Sequence, residues 1–340
     1  MDKRIVLAVA GSGKTKYIID KLSDDCRALI ITYTVNNYEN IKKRVLEKFG
    51  FIPKGVRIYT YFSFIMSFCI RPIFLGSAKI KGVTYNEPPR FEKRRTHGHY
   101  FDRNKRVYHS RASKLLLDFN LVALVSERIE RYFDLFCIDE IQDFSANDFN
   151  FVIKLFSTNI NILMVGDYFQ HTFDTSRDGN IQKNLHDSLY GYIEKFRTAG
   201  FAIDTETLSH SYRCSPTVCE FIVDNLGIEI RSHREDVVGL KLLLDDVEIQ
   251  LVMGDDSIVK LFYRESNKYV GRVDNWGNTK GLDDFNDVCI VLNKTTFSAF
   301  QKGKLAGLAP STLNKLYVAC TRSKGNLYFL PEEKLESYKR

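Results

Sequence analysis

Residues Ala8-Val9-Ala10-Gly11-Ser12-Gly13-Lys14-Thr15 constrain the fold of this chain more than any other segment. They follow a short apolar run at 4–9 and precede a stretch of helical period at 15–22, which puts the glycines in a tight strand-to-helix turn. Glycine lets the backbone wrap a phosphate chain with its N–H groups, and the start of a helix adds positive potential. In such a turn Ala10, Gly11, Ser12 and Gly13 form the cradle, Lys14 reaches the terminal phosphates, and Thr15 ligates Mg²⁺. Ala8 stands where the usual pattern opens with glycine.

The rest of the chain has the alternation that such a turn requires. Apolar, β-branched runs at 28–33, 135–138, 160–165, 287–292 and 327–330 read as strands, and segments at 38–49, 112–133, 148–156, 216–226 and 311–321 read as helices. This is the pattern of an α/β protein with parallel sheets covered by helices. With 340 residues it predicts about two domains, divided near residue 195 into 1–195 and 196–340. Two stretches break the alternation and read as insertions, 77–111 in the first half and 229–276, a run of short strands and turns, in the second.

Charge distinguishes the first insertion. The chain carries 49 Lys and Arg against 42 Asp and Glu, a net charge of +7. Residues 77–111 hold ten basic and three acidic side chains, which is the whole excess. The cations alternate with Phe91, Tyr100, Phe101 and Tyr108, a pattern suited to tracking phosphates, although an exposed, solvated loop has the same composition. Lys93, Arg94, Arg95, Arg103, Lys105 and Arg106 are the candidate phosphate contacts. His97 and His99 lack a Cys or acidic partner that would complete a metal site. The seven cysteines form no C-x-x-C pair, which argues against a zinc ribbon or a disulfide framework and for a reducing compartment. The longest apolar candidate, 58–70, is shorter than the ~18 residues of a membrane span and carries Thr60, Ser63 and Ser67. A phosphate loop beginning at Ala8 leaves no room for a targeting peptide, so the expectation is a soluble, cytoplasmic protein.

Two further strand ends carry chemistry. Leu135-Phe-Cys-Ile-Asp-Glu-Ile-Gln-Asp143 places Asp139 and Glu140 at the C-terminal end of a buried strand, where α/β folds bind ligands. Asp139 can hold Mg²⁺, and Glu140 can take a proton from an attacking water. Gly166-Asp167-Tyr168-Phe169-Gln170 ends the next strand, with Gln170 able to sense a γ-phosphate; taken alone, it reads equally well as a turn.

The succession GSGKT, DEIQD and GDYFQ resembles the first lobe of the UvrD/Rep group of superfamily 1 helicases. The second half continues the resemblance in family order. Leu208-Ser-His-Ser-Tyr-Arg213 is similar to L-x-x-N-Y-R with Ser211 for Asn, Thr279-Lys280-Gly281-Leu282 with Phe285 to KGLEF, and Leu316-Tyr-Val-Ala-Cys-Thr-Arg322 to L-Y-V-A-x-T-R. The resemblance implies two RecA-like P-loop NTPase lobes with parallel sheets and short insertions. It implies ATP and Mg²⁺ as cofactors, with ATP hydrolysed between the lobes. Glu140, Gln170, Arg213 and Arg322 take the catalytic positions, and Gly281 a nucleotide contact.

It also implies single-stranded or tailed DNA as partner. Thr32, Tyr33 and Asn36 occupy the TFTNKAA element, and Tyr61 and Phe62 the TFHSF element, with Phe62 for His. Phe173 keeps one aromatic of the element after Gln170, and the second is absent. No Gln precedes Ala8 to contact adenine, and the family's large insertion between Y-R and KGL shrinks to 214–279. No carboxylate-rich nuclease segment follows Arg322, so cleavage would belong to a partner. The expected function is an ATP-dependent DNA helicase or single-stranded DNA translocase. The alternative is a nucleotide-dependent DNA-binding switch subunit regulating a partner nuclease, for example in antiviral defence, by analogy with small UvrD-like proteins of Gabija-type systems.

Overall fold

A computed structural model describes residues 1–74, 80–172, 178, 180–282 and 284–340. They form two compact units. The first holds Met1–Val6, Lys14–Gly166 and the described residues of 174–204; the second holds Leu7–Gly13, the described residues of 167–173, and Thr205–Arg340. Against an expected boundary near 195, the first unit extends to 204, because the helix Leu189–Thr198 leads into a strand that joins the first sheet.

The strands of the first unit are β1 (Lys3–Leu7), β2 (Ala28–Thr32), β3 (Arg57–Thr60), β4 (Gly82–Thr84), β5 (Arg106–Tyr108), β6 (Leu135–Asp139), β7 (Asn161–Gly166) and β8 (Ala202–Asp204). Six form one sheet in the order β3-β2-β6-β7-β1-β8, and β3–β2, β2–β6, β6–β7 and β1–β8 pair in parallel. Leu29, Ile30, Ile31, Phe136, Cys137, Ile138, Met164 and Val165 are buried, which explains why these strands read as continuous apolar runs. The helix Val35–Phe49 starts where the Thr34 hydroxyl accepts from Asn37 N–H, buries Ile41 and Val45, and ends at Gly50 with φ 77°. Its Lys48 Nζ donates to the carbonyls of Ile19 and Leu22, both at 2.9 Å, closing the end of the helix Lys14–Asp20.

The helix expected over 112–133 is two helices, Ala112–Asp118 and Val122–Tyr132. Asn120 sits between them at φ 55°, a left-handed conformation that asparagine tolerates better than most residues. The described part of the basic insertion contains the parallel pair β4–β5. It is tied down by buried Asp118, which accepts from Tyr100 Oη at 2.6 Å and pairs with Arg94, and by Asp178, whose Oδ1 lies 3.8 Å from Arg111 Nε.

The second unit adds β9 (His210–Ser211), β10 (Arg231–Ser232), β11 (Leu240–Leu242), β12 (Val259–Phe262), β13 (Val273–Asn275), β14 (Val288–Leu292) and β15 (Leu327–Pro331). Five form a parallel sheet in the order β11-β15-β14-β12-β13, and β9 pairs with β10. The reading of 229–276 as an insertion needs correction: the segment supplies β11, β12 and β13, and a helix, Asp246–Gly254, which its mixture of short apolar runs and turn residues concealed. The helix Pro216–Leu226 has Ser215 as its cap, proline in its first turn, and Gly227 at φ 66° after its last residue. All seven cysteines are free, and no described helix is long and apolar enough to cross a membrane.

Candidate nucleotide and nucleic-acid sites

The turn after β1 has the backbone its glycines predict, with Gly11 at φ 72° and Gly13 at φ 86°. Gly11 also leaves no room for a side chain, since a Cβ would lie 2.7 Å from Arg213 Cβ and 2.8 Å from Ser211 Oγ. Within the second unit this loop is held at three further points. Val9 N–H donates to Leu208 O at 3.0 Å, Tyr212 N–H donates to Gly11 O at 2.9 Å, and Ala10 N–H donates to Tyr317 Oη at 3.0 Å. The Tyr317 hydroxyl in turn donates to Asp167 Oδ2 at 3.0 Å. Ser211, which replaces the family's asparagine, accepts from the amides of Arg213 (3.2 Å) and Cys214 (3.0 Å).

In the first unit, Lys14, Thr15, Asp139 and Glu140 form one cluster. Thr15 Oγ1 donates to Asp139 Oδ2 at 3.0 Å, and Lys14 Nζ lies 3.6 Å from Glu140 Oε1. Lys14 and Asp139 are buried. Burial pushes the Asp139 carboxyl up to about 7, and neighbouring Glu140 adds to this against the opposing pull of Lys14 and the Thr15 hydrogen bond. Glu140 has a left-handed backbone, φ 57° and ψ 49°, which turns the chain sharply at the strand end. Its other oxygen, Oε2, accepts from Nε2 of fully buried Gln142.

A buried carboxylate destabilised by a second carboxylate, with a hydroxyl already at hydrogen-bond distance, is an all-oxygen donor set that fits Mg²⁺. That ion takes one or two carboxylates and completes its shell with phosphate and water. No cluster of three or more His, Cys, Asp or Glu that could hold a metal occurs among the described residues, His97 and His99 included. Burial lowers the His99 pKa, and its Nδ1 faces Glu92 O and Arg111.

The other expected catalytic residues lie in the second unit. Gln170 is buried on the short turn Tyr168–Gln170. Arg213 Nη1 donates to Thr321 O at 3.2 Å. Arg322, expected to face a phosphate, is 2% exposed and donates to Val318 O (3.2 Å), Thr279 O (3.3 Å) and Leu282 O (3.0 Å). It therefore braces the Thr279–Leu282 turn, in which Gly281 has φ 84° and is exposed.

Several expected DNA contacts need revision. Thr32 and Tyr61 have no exposed surface. Tyr61 is consumed by the interior: its hydroxyl meets Ser113 Oγ at 2.6 Å and donates to buried Asp148 at 3.3 Å. Tyr33 and Phe62 are half-buried, Asn36 is exposed, and Phe173 lies outside the described residues. Arg94 is paired with Asp118, Arg106 with Asp102, and Arg95 Nη2 donates to Asp118 O at 3.2 Å. Lys93, Arg103 and Lys105 are exposed and have no carboxylate partner among the described residues. Sequence reasoning missed Gln142 and Tyr317, although both stand inside motifs it had singled out.

No family model and no curated protein matches the chain. Among solved structures it is similar to arterivirus nonstructural protein 10, a helicase, at 12% identity and a TM-score of 0.52, covering 96% of this chain and 59% of that one. It is equally similar to the complex of arterivirus nonstructural protein 10 with DNA, at 12% identity and a TM-score of 0.51, covering 96% and 60%. The chain thus spans about three fifths of the length of these structures. At this identity the likeness is one of fold: two parallel α/β sheets of the RecA type, as in a helicase.

Proposed function

We propose that the chain is an ATP-dependent helicase or single-stranded DNA translocase of the UvrD/Rep type. The observation that carries this reading is the cluster in which Thr15 meets buried Asp139 at 3.0 Å and buried Lys14 meets Glu140 at 3.6 Å. Its four residue types are those that phosphoryl transfer from ATP needs. The order of the further motifs along the chain, the helicase-type fold and the basic insertion support it.

In this mechanism the amides around Gly11 and Gly13 cradle the phosphate chain, and Lys14 neutralises its terminal charge. Thr15 and Asp139 would hold Mg²⁺, and the ion would supply positive charge against the phosphates. Glu140 takes the proton of the attacking water, its carboxylate held between Lys14 on one oxygen and Gln142 on the other. Arg213 and Arg322 stabilise charge on the transferring group. For Arg322 this requires exchanging its carbonyl partners for phosphate, and that exchange couples nucleotide state to the Thr279–Leu282 turn.

The test is ATP turnover measured with and without single-stranded DNA, together with Lys14→Ala and Glu140→Gln. Both variants lose turnover and keep DNA binding; unchanged turnover in either overturns the assignment. Strand displacement on a tailed duplex completes the test, since DNA-stimulated turnover without displacement points to a translocase or a switch subunit acting with a partner.

A further inference from the structure

The basic insertion also presents rings that its charge does not account for. β4 and β5 run parallel with Thr84 opposite Tyr108, so the residues that follow the two strands, Tyr85 and His109, emerge at the same end. They meet there with ring centroids 5.2 Å apart and planes at 33°. Phe62, just beyond β3, closes the group edge-on, 6.0 Å from Tyr85 and 6.2 Å from His109, and it also touches Tyr33 at 5.7 Å.

Aromatic clusters are ordinarily interior features, because ring area is what the core gains from them. This one is open. Tyr85 is 70% exposed and its hydroxyl has no partner among the described residues, while Phe62 and His109 are half-buried. At the other end of the same strand pair, exposed Lys81 and Lys105 are joined by a backbone hydrogen bond of 3.0 Å, with exposed Arg103 close by in sequence. Three residues of strand lie between the cationic end and the aromatic end, a span of about 13 Å.

We propose that Tyr85, backed by His109 and Phe62, is a base-stacking step for single-stranded nucleic acid, with Lys81, Arg103 and Lys105 meeting the adjoining phosphates. This rests on the nucleic-acid-binding part of the proposed function and adds a site to it. Charge complementarity selects the occupant: Tyr85 and His109 sit in the segment that holds the chain's entire cationic excess, and a polyanion whose units each carry a flat π-face suits both features. Stacking of this kind accepts any base.

The experiment measures binding of the full chain to an oligothymidylate and to an abasic phosphodiester strand of the same length, for wild type, Tyr85→Ala and Tyr85→Phe. Tyr85 is exposed, so neither substitution disturbs packing. Tyr85→Ala weakens oligothymidylate binding about tenfold, leaves abasic-strand binding and the salt dependence unchanged, and Tyr85→Phe binds as wild type. Wild-type affinity of Tyr85→Ala for oligothymidylate, or an equal loss on both strands, overturns the stacking step. Anionic phospholipid vesicles are the control: if Tyr85→Ala loses vesicle binding alone, the rings serve a membrane surface and the proposal fails. A wild-type chain that binds neither strand removes the nucleic-acid reading itself, a result distinct from failure of the Tyr85 variant.

Discussion

Gln142 donates its side-chain Nε2 to Glu140 Oε2 from a position with no exposed surface, two residues further along the chain. Lys14 lies 3.6 Å from the other carboxylate oxygen, so the proposed base is held from both sides while its own backbone adopts a left-handed turn. A catalytic carboxylate must be presented within a few tenths of an ångström of its water, and Gln142 is the group that sets the orientation.

Gln142→Ala should therefore lower kcat of ATP hydrolysis by about ten- to a hundredfold, the value of one hydrogen bond to a charged group expressed as a rate. Nucleotide affinity, which depends on Lys14 and the loop amides, should change only a few-fold. Steady-state turnover alongside equilibrium binding of a nucleotide analogue separates the two, and an unchanged kcat would show that Glu140 positions itself.

Gly166 carries the same argument one step back. A Cβ there would lie 2.4 Å from Gln142 Oε1 and 2.7 Å from Ile141 Cγ2, both buried, so Gly166→Ala must displace Gln142. Overpacking of this kind destabilises by about 1–3 kcal/mol. The expected outcome is a melting temperature lower by several degrees together with the kcat loss of Gln142→Ala. Loss of stability with full activity would separate Gly166 from the site.

These dependencies mark the border of what the sequence discloses. The six strands and the helices around the motifs were legible because each is a local pattern, an apolar run or a 3.6-residue period bounded by caps such as Thr34, Ser215 and Gly227. The cluster of Lys14, Thr15, Asp139 and Glu140 was legible for a related reason: parallel strands bring their C-terminal ends to one edge of the sheet, here those of β1 and β6 with β7 between them. Asn120 broke an expected helix because a single left-handed residue leaves the hydrophobic period intact. The partners of Tyr61, Arg94 and Arg322, namely Asp148, Asp118 and the Thr279 and Leu282 carbonyls, were not legible because they are set by tertiary packing that motif position does not encode.

Asp118 makes one of those partnerships measurable through pH. Burial alone would raise its pKa, but hydrogen bonds from Arg94 and Tyr100 and the charges of Arg94 and Lys114 outweigh it and hold the carboxyl below its ordinary value. A depressed native pKa contributes stability that is fully present above the unfolded value of about 3.9 and is lost as pH falls through the lower native one. Asp118→Asn should lower the melting temperature by about 2–4 °C at pH 7 and flatten its decline below about pH 4, so that the two curves converge in acid. Parallel curves across that range would place the acid sensitivity elsewhere.

The same pairing decides which cations of the insertion are available to a polyanion. Arg94 and Arg106 are already matched by Asp118 and Asp102, and Arg95 by a carbonyl, whereas Lys93, Arg103 and Lys105 are exposed without carboxylate partners among the described residues. Each phosphate neutralised on a single strand contributes about −0.7 to the slope of log K against log salt. Replacing Lys93, Arg103 and Lys105 together by Ala should therefore make the slope shallower by about 2, with affinity lowered alike for every sequence and melting temperature unchanged. Arg94→Ala and Arg106→Ala should do the reverse, lowering the melting temperature and leaving the slope nearly as it was. An unaltered slope in the triple variant would mean that the insertion's charge is merely solvated, and that the DNA path runs over other surfaces of the protein.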